Sequence, residues 1–115
     1  MHEYEVTRQI IETALCHAER HGGSRVSKIQ LVMGESCGYL ADSILLYFDI
    51  IAEDTSCAGA KIDIEAVKPK LKCKVCGKLF ERKPFEFSCT NSGCKGEGEP
   101  TEIGREFYIA AIEFL

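Results

Sequence analysis

Apolar side chains recur three and four positions apart between Tyr4 and His21. Val6, Ile10, Ile11, Ala14, Leu15 and Ala18 share one face, and Glu5, Arg8, Glu12 and Glu19 take the other. That period predicts an amphipathic helix. Gly22-Gly23 ends it, because glycine enters the left-handed C-terminal conformation without a Cβ penalty. In VSKIQLVMG, residues 26–34, the period drops to two. Ile29, Leu31 and Met33 alternate there with Lys28 and Gln30, which predicts a strand with one buried face. A second helical stripe runs through positions 41, 44, 45, 48, 51 and 52, with Asp42 where the positive end of a helix favours an acid. KIDIEAV, residues 61–67, alternates again as a half-buried strand, and Pro69 stops it. The chain closes in REFYIAAIEFL, a last strand of β-type residues.

Residues 71–101 keep neither period and are rich in Lys, Cys, Gly and Pro. They read as a module inserted between two strands of one sheet, with both junctions expected near the same sheet edge. The predicted fold class is therefore α+β. A three-stranded sheet with two helices on one face is built from residues 1–70 and 102–115, and a small zinc-ribbon-like domain is inserted at 71–101. A core drawn from so short a chain is small, so a bound metal is expected to add to its stability.

The module's chemistry lies in its cysteines. Two residues separate Cys73 from Cys76, twelve separate Cys76 from Cys89, and four separate Cys89 from Cys94. A tetrahedral zinc ion with four thiolate ligands needs two short chelating loops face to face, and gaps of about two to four residues provide them. Gly77 allows the tight turn that aims amide N–H groups at sulfur. Two disulfides, or a thioredoxin-like redox pair, are the competing readings. The redox motif expects a strand before it and a helix opening at its cysteines, whereas lysines and a hairpin-like Pro-Phe-Glu-Phe segment surround these. The spacing favours zinc.

Composition adds limits. Apolar residues make up 45% of the chain and charged residues 28%, as in ordinary soluble domains, so neither singles out a class. No apolar run approaches a membrane span, and no signal peptide opens the chain. Seven cysteines, an odd number with four in metal spacing, fit a reducing cytosol, so a cytoplasmic location is expected. Cys16, Cys37 and Cys57 are expected to be buried small apolar side chains. The net charge of −4 divides into +2 for residues 71–101 and −6 for the rest. Zinc with four thiolates carries −2, which leaves the module near neutral and argues against nucleic-acid binding.

Met1-His2-Glu3 offers a second metal chemistry. The α-amine of Met1, the His2 backbone nitrogen and the His2 imidazole form fused chelate rings, and the Glu3 backbone nitrogen completes a plane of four nitrogens. Such a plane suits Ni(II) or Cu(II) rather than zinc. On these residues alone the signal is weak, and an exposed, partly frayed terminus is the favoured explanation of the segment.

Taken together, MHE, the strand ending in MGE, LADSILLYFDII, DTSCAGAKIDIE, the cysteine pairs 73/76 and 89/94 and the closing IAAIEF resemble the HypA/HybF family from end to end. These are nickel-insertion accessory proteins of [NiFe]-hydrogenase maturation, some of which serve urease. The resemblance implies an α/β domain holding Ni(II) as transient cargo through His2 and neighbouring N-terminal atoms, and a structural zinc domain. It also implies delivery to a hydrogenase large-subunit precursor together with the nickel-binding GTPase HypB. The family's second cysteine pair more often encloses two residues, where this chain has Thr90-Asn91-Ser92-Gly93.

Several other residues are of types that carry chemistry. The Glu3 carboxylate is expected to cap the first helix. His17 and His21, four apart, are at a spacing that can meet one ion, but a solvated helix end is the reading adopted. Glu35 is expected in a turn. Phe80, Phe85 and Phe87 are expected to form the module's miniature core rather than a stacking platform for bases. No phosphate loop and no nucleophile with a recognisable base occurs, so the chain is read as no enzyme. A zinc-ribbon module binding protein or nucleic acid without a nickel role is the alternative. A redox sensor that loses zinc on oxidation of Cys73 and Cys76 is a third reading.

Overall fold

The computed structural model describes residues 2–81, 88–90 and 93–115, with the side chain of His2 outside that description. The first helix, α1, spans His2–Arg20, starting two residues before the predicted Tyr4. Its end is a Schellman arrangement: the Gly23 amide donates to Ala18 O at 2.9 Å and the Gly22 amide to Glu19 O at 3.2 Å. Both glycines hold φ +76°, a left-handed conformation that favours glycine. On the solvent face Arg8 pairs with both Glu5 and Glu12, one turn away on either side.

Strand β1 (Val26–Gly34), helix α2 (Ala41–Ala52) and strand β2 (Lys61–Val67) follow as their periods predict. The last strand, β6, is Phe107–Phe114. The sheet order is β2-β1-β6, with β2 parallel and β6 antiparallel to β1. Ile29 therefore sits between Ile62 and Ile112, and Leu31 between Ile64 and Ile109. Ile10, Ile11 and Ala14 of α1 and Ile44 and Phe48 of α2 close over this row to form one buried cluster. Burying a side chain such as Phe48 stabilises by roughly 1.5–3 kcal/mol, so this layer supplies most of the core's stability.

Pro69 separates β2 from three strands that the sequence period did not reveal: β3 (Lys70–Cys73), β4 (Leu79–Glu81) and β5 (Gly98–Pro100). They form a second antiparallel sheet, β4-β3-β5, around Leu71 and Phe80. Gly98 is required there, because a Cβ on it would lie 2.6 Å from the Phe80 ring.

The junctions correct one expectation. β2 and β6 lie on opposite edges of β1, not on one edge; it is the sheet end that Val67 and Phe107 share. The chain leaving β1 fills the gap between them. The Gly34 amide donates to Glu106 O at 2.7 Å, Glu35 to Val67 O at 2.9 Å and Ser36 to Gly104 O at 2.7 Å. The packing is close enough to exclude side chains, since a Cβ on Gly34 would sit 2.0 Å from Gly104 O. Gly34→Ala must push the backbone apart and is expected to destabilise by about 1–3 kcal/mol. Thermal unfolding followed by circular dichroism checks this, and an unchanged midpoint would show that the neck relaxes freely.

Candidate metal centre

Cys73 is the last residue of β3, and the chain turns immediately after it. The Cys73 amide donates to Lys78 O at 2.9 Å, the Gly77 amide to Cys73 O at 3.0 Å, and Gly77 takes φ +77°. This turn aims the amides of Val75 and Cys76 at the Cys73 sulfur, each at 3.4 Å. The second loop is built alike. The Cys89 amide donates to Gly96 O at 2.9 Å, Gly93 holds φ +78°, and the Lys74 amide reaches across to Glu97 O at 3.0 Å. Gly96 must lack a Cβ, which would stand 2.4 Å from the Cys73 sulfur.

These two loops bring all four sulfurs within 4.8 Å of one another. Cys73 and Cys94 are 3.6 Å apart, as are Cys76 and Cys89. Ligands about 2.3 Å from a tetrahedral ion stand about 3.8 Å from each other, whereas a disulfide needs about 2.05 Å. At 3.6 Å the sulfurs of each pair stand too far apart for a disulfide bond. Four soft donors in a tetrahedron fit zinc or iron and fit neither a planar nor an octahedral ion.

The backbone prepares the sulfurs for a cation. Hydrogen bonds from the amides of Cys76 and then Val75 lower the Cys73 thiol from its usual range to about 6. The Lys78 amide lowers Cys76 in the same way. Cys94 goes the other way: the Gly96 amide favours its thiolate, but the adjacent Cys73 sulfur and burial together push it up. A cluster in which some thiols ionise readily and a neighbour resists is what four sulfurs give when no cation offsets their charge, and a divalent ion removes the conflict.

The remaining candidates fall into place one by one. Met1 and the His2 side chain lie outside the described residues, as do Phe85 and Phe87. Phe80 is buried in the small sheet as expected. The Glu3 carboxylate lies in the first turn of its own helix, where an acid complements the helix dipole as expected. It also accepts from the Leu40 amide at 3.3 Å, at the entrance to α2, where Leu40 has no side-chain cap. Sequence reasoning missed this because the partner is 37 residues away. His17 and His21 do not converge on one point: each Nδ1 returns to a carbonyl of α1, at 2.9 and 3.0 Å, and His21 stacks on Phe114. Glu35 is an exposed turn residue, as read. Of the three other cysteines only Cys57 is fully buried, and burial pushes its thiol up. Cys37 is half-buried and Cys16 exposed, against expectation; position 16 lies off the stripe formed by Ile10, Ile11, Ala14 and Ala18.

A family model described as hydrogenase/urease nickel incorporation, metallochaperone, HypA matches residues 1–114. The chain belongs to the HypA family. The HypA hydrogenase maturation factor of Caldanaerobacter subterraneus subsp. tengcongensis is 38% identical, with 98% of each chain covered. That of Methanocaldococcus jannaschii is 34% identical over 99% of this chain and 98% of its own. Two solution structures share the fold. One of a HypA protein superposes with a TM-score of 0.71 at 24% identity, covering 100% of this chain and 97% of its own. One of the Ni metallochaperone HypA from Helicobacter pylori gives 0.64 at 22%, covering 98% and 97%. In this HypA-family chain the four-cysteine cluster is the one group of three or more potential metal ligands among the described residues, and no helix there is long and apolar enough to cross a membrane.

Proposed function

We propose that this HypA-family chain is a two-metal carrier: Cys73, Cys76, Cys89 and Cys94 hold a structural zinc ion, and the N-terminus carries Ni(II) for delivery. The observation that carries the reading is the family match across residues 1–114 of a chain that opens Met-His-Glu. The nickel ligands are the Met1 α-amine, the His2 backbone nitrogen and imidazole, and the Glu3 backbone nitrogen. Placement of the first helical turn supports this. The first amides of a helix have no acceptor within it, so binding metal at residues 2 and 3 sacrifices no helical hydrogen bond. Engagement of the Glu3 carboxylate at Leu40 favours the backbone nitrogen over the side chain as ligand.

The division of labour is chemical: a closed thiolate cage keeps its ion, while a ligand set at the chain terminus exchanges one donor at a time. Residues 1–70 with 102–115 act as the nickel domain and 71–101 as the zinc domain, which matches the two separate apolar clusters. The protein works in the cytosol without catalysing a reaction. HypB is its partner, a [NiFe]-hydrogenase large-subunit precursor receives the nickel, and the urease machinery is the alternative recipient. A short peptide fused ahead of Met1 tests this by calorimetric Ni(II) titration. Fusion removes the α-amine from the chelate rings and should abolish stoichiometric nickel binding while zinc content stays at one per chain. Equal nickel affinity with and without the extension would refute the ligand set.

A further inference from the structure

Among the described residues one polar residue is fully buried, Thr7. Helical spacing puts it on the face of α1 that carries Ile10, Ile11, Ala14 and Ala18, a core position where an apolar side chain would be ordinary. Its hydroxyl donates to Glu3 O at 2.5 Å, one turn nearer the chain start. Threonine is a weaker helix former than alanine or leucine, and back-bonding of this kind does not strengthen a helix interior. Helix stability therefore does not account for the residue. What the hydroxyl supplies is a second donor on one particular carbonyl.

That carbonyl belongs to the residue whose nitrogen completes the proposed nickel plane. In the first turn of a helix the amide nitrogens have no acceptor, so a residue is tied to the helix only through its C=O. The Glu3 oxygen takes the Thr7 amide by ordinary helical pairing, and the Thr7 hydroxyl doubles that tie. The Glu3 side chain is held separately, by the Leu40 amide at 3.3 Å. The following residue is held too: the Tyr4 ring stands edge-on to Tyr47 of α2, with centroids 5.5 Å apart. Residue 3 is thus fixed through its carbonyl and its carboxylate, while its nitrogen has no helical partner. A frayed chain end has no such restraints.

We infer that Thr7 is a positioning residue for nickel: its buried hydroxyl anchors Glu3 O, so the Glu3 nitrogen stands in place and Met1 and His2 close the plane around it. This rests on the terminal nickel site. Thr7 contributes no donor atom and acts through the backbone. A planar chelate forms only when four nitrogens are brought together, and a donor already in place reduces the ordering that binding requires. Hydrogen bonds that orient a metal ligand from outside the coordination sphere change affinity by about 10–100-fold. A single hydroxyl on a carbonyl belongs at the lower end of that range.

Ni(II) titration of the untagged, zinc-loaded full chain tests this, followed by calorimetry and by the visible absorption of planar nickel. Thr7→Val removes the hydroxyl and keeps the branched shape. Glu3 O retains the backbone amide of residue 7, so no buried group is orphaned, and circular dichroism and zinc content should be unchanged. Nickel should bind about tenfold more weakly. The absorption band should stay at the same wavelength, because the same four nitrogens bind. Thr7→Ser restores the hydroxyl and should bind nickel as the wild type does. Should the valine variant fail to fold, Thr7→Ala, which also lacks the hydroxyl and favours helix, carries the same expectation. Equal nickel affinity in the wild type and the hydroxyl-free variant would overturn the inference and leave the terminal ligand set standing. So would a Thr7→Ser variant as weak as the valine one. A wild-type chain whose bound nickel gives no planar band would remove the ligand set itself, and the role of Thr7 with it.

Discussion

Cys76→Ser is expected to empty the thiolate cage. A structural zinc site supplies about 10–16 kcal/mol of apparent binding free energy in small zinc modules, and that energy is folding energy for the unit around it. Among the described residues the cluster has few other buried apolar side chains. Its buried apolar set is Leu71, Cys73, Phe80 and Cys89, with Cys94 packed alongside, so three of the five are proposed ligands themselves. Loss of one outer hydrogen-bond partner of a ligand already weakens metal affinity about 10–100-fold. Removing a thiolate outright, and leaving three sulfurs without a closed cage, must cost more. Zinc in the dialysed variant should therefore fall from one per chain to near zero, and exchange in residues 70–81 should rise steeply. The α1, α2 and β2-β1-β6 layer has its own core, so the helical signal should persist. Retention of stoichiometric zinc, measured by plasma mass spectrometry, would show that Cys76 is not a ligand.

His2→Ala is the counterpart at the other end of the molecule. Alanine removes the imidazole and with it a chelate ring, leaving an amine and backbone nitrogens that cannot close the plane. Affinity for Ni(II) should drop by well over a hundredfold, by the same comparison with outer-sphere losses. The zinc content should stay at one. Glu3→Gln serves as the control: it keeps the backbone nitrogen and alters the contact to Leu40, so nickel should still bind in a one-to-one ratio. A loss of nickel in Glu3→Gln as large as in His2→Ala would move the ligand from the backbone to the carboxylate.

How far the sequence speaks for itself depends on the length of the pattern. Nine residues from Val26 and twelve from Ala41 give the strand and helix periods room to repeat, and both elements fall where the periods put them. β3, β4 and β5 have four, three and three residues, too few for a period to show, and lysines mask Leu71. The cysteine spacings predicted an assembled sulfur cluster, because ligand chemistry constrains spacing even where secondary structure is weak. Long-range features stayed hidden. The Glu3–Leu40 contact and the opposite-edge junctions depend on how helix and sheet pack, which no local window contains. Cys16 shows a different failing. Residue type suggested burial, and helical position, which was legible, overruled it.

X-ray absorption on untagged protein, loaded with one equivalent each of zinc and nickel, is the most direct test of the two-metal account. The zinc edge should show four sulfur neighbours at about 2.3 Å and the nickel edge a planar set of light nitrogen donors without sulfur. Nickel surrounded by sulfur, or distributed over the cysteine cluster in place of zinc, would contradict it.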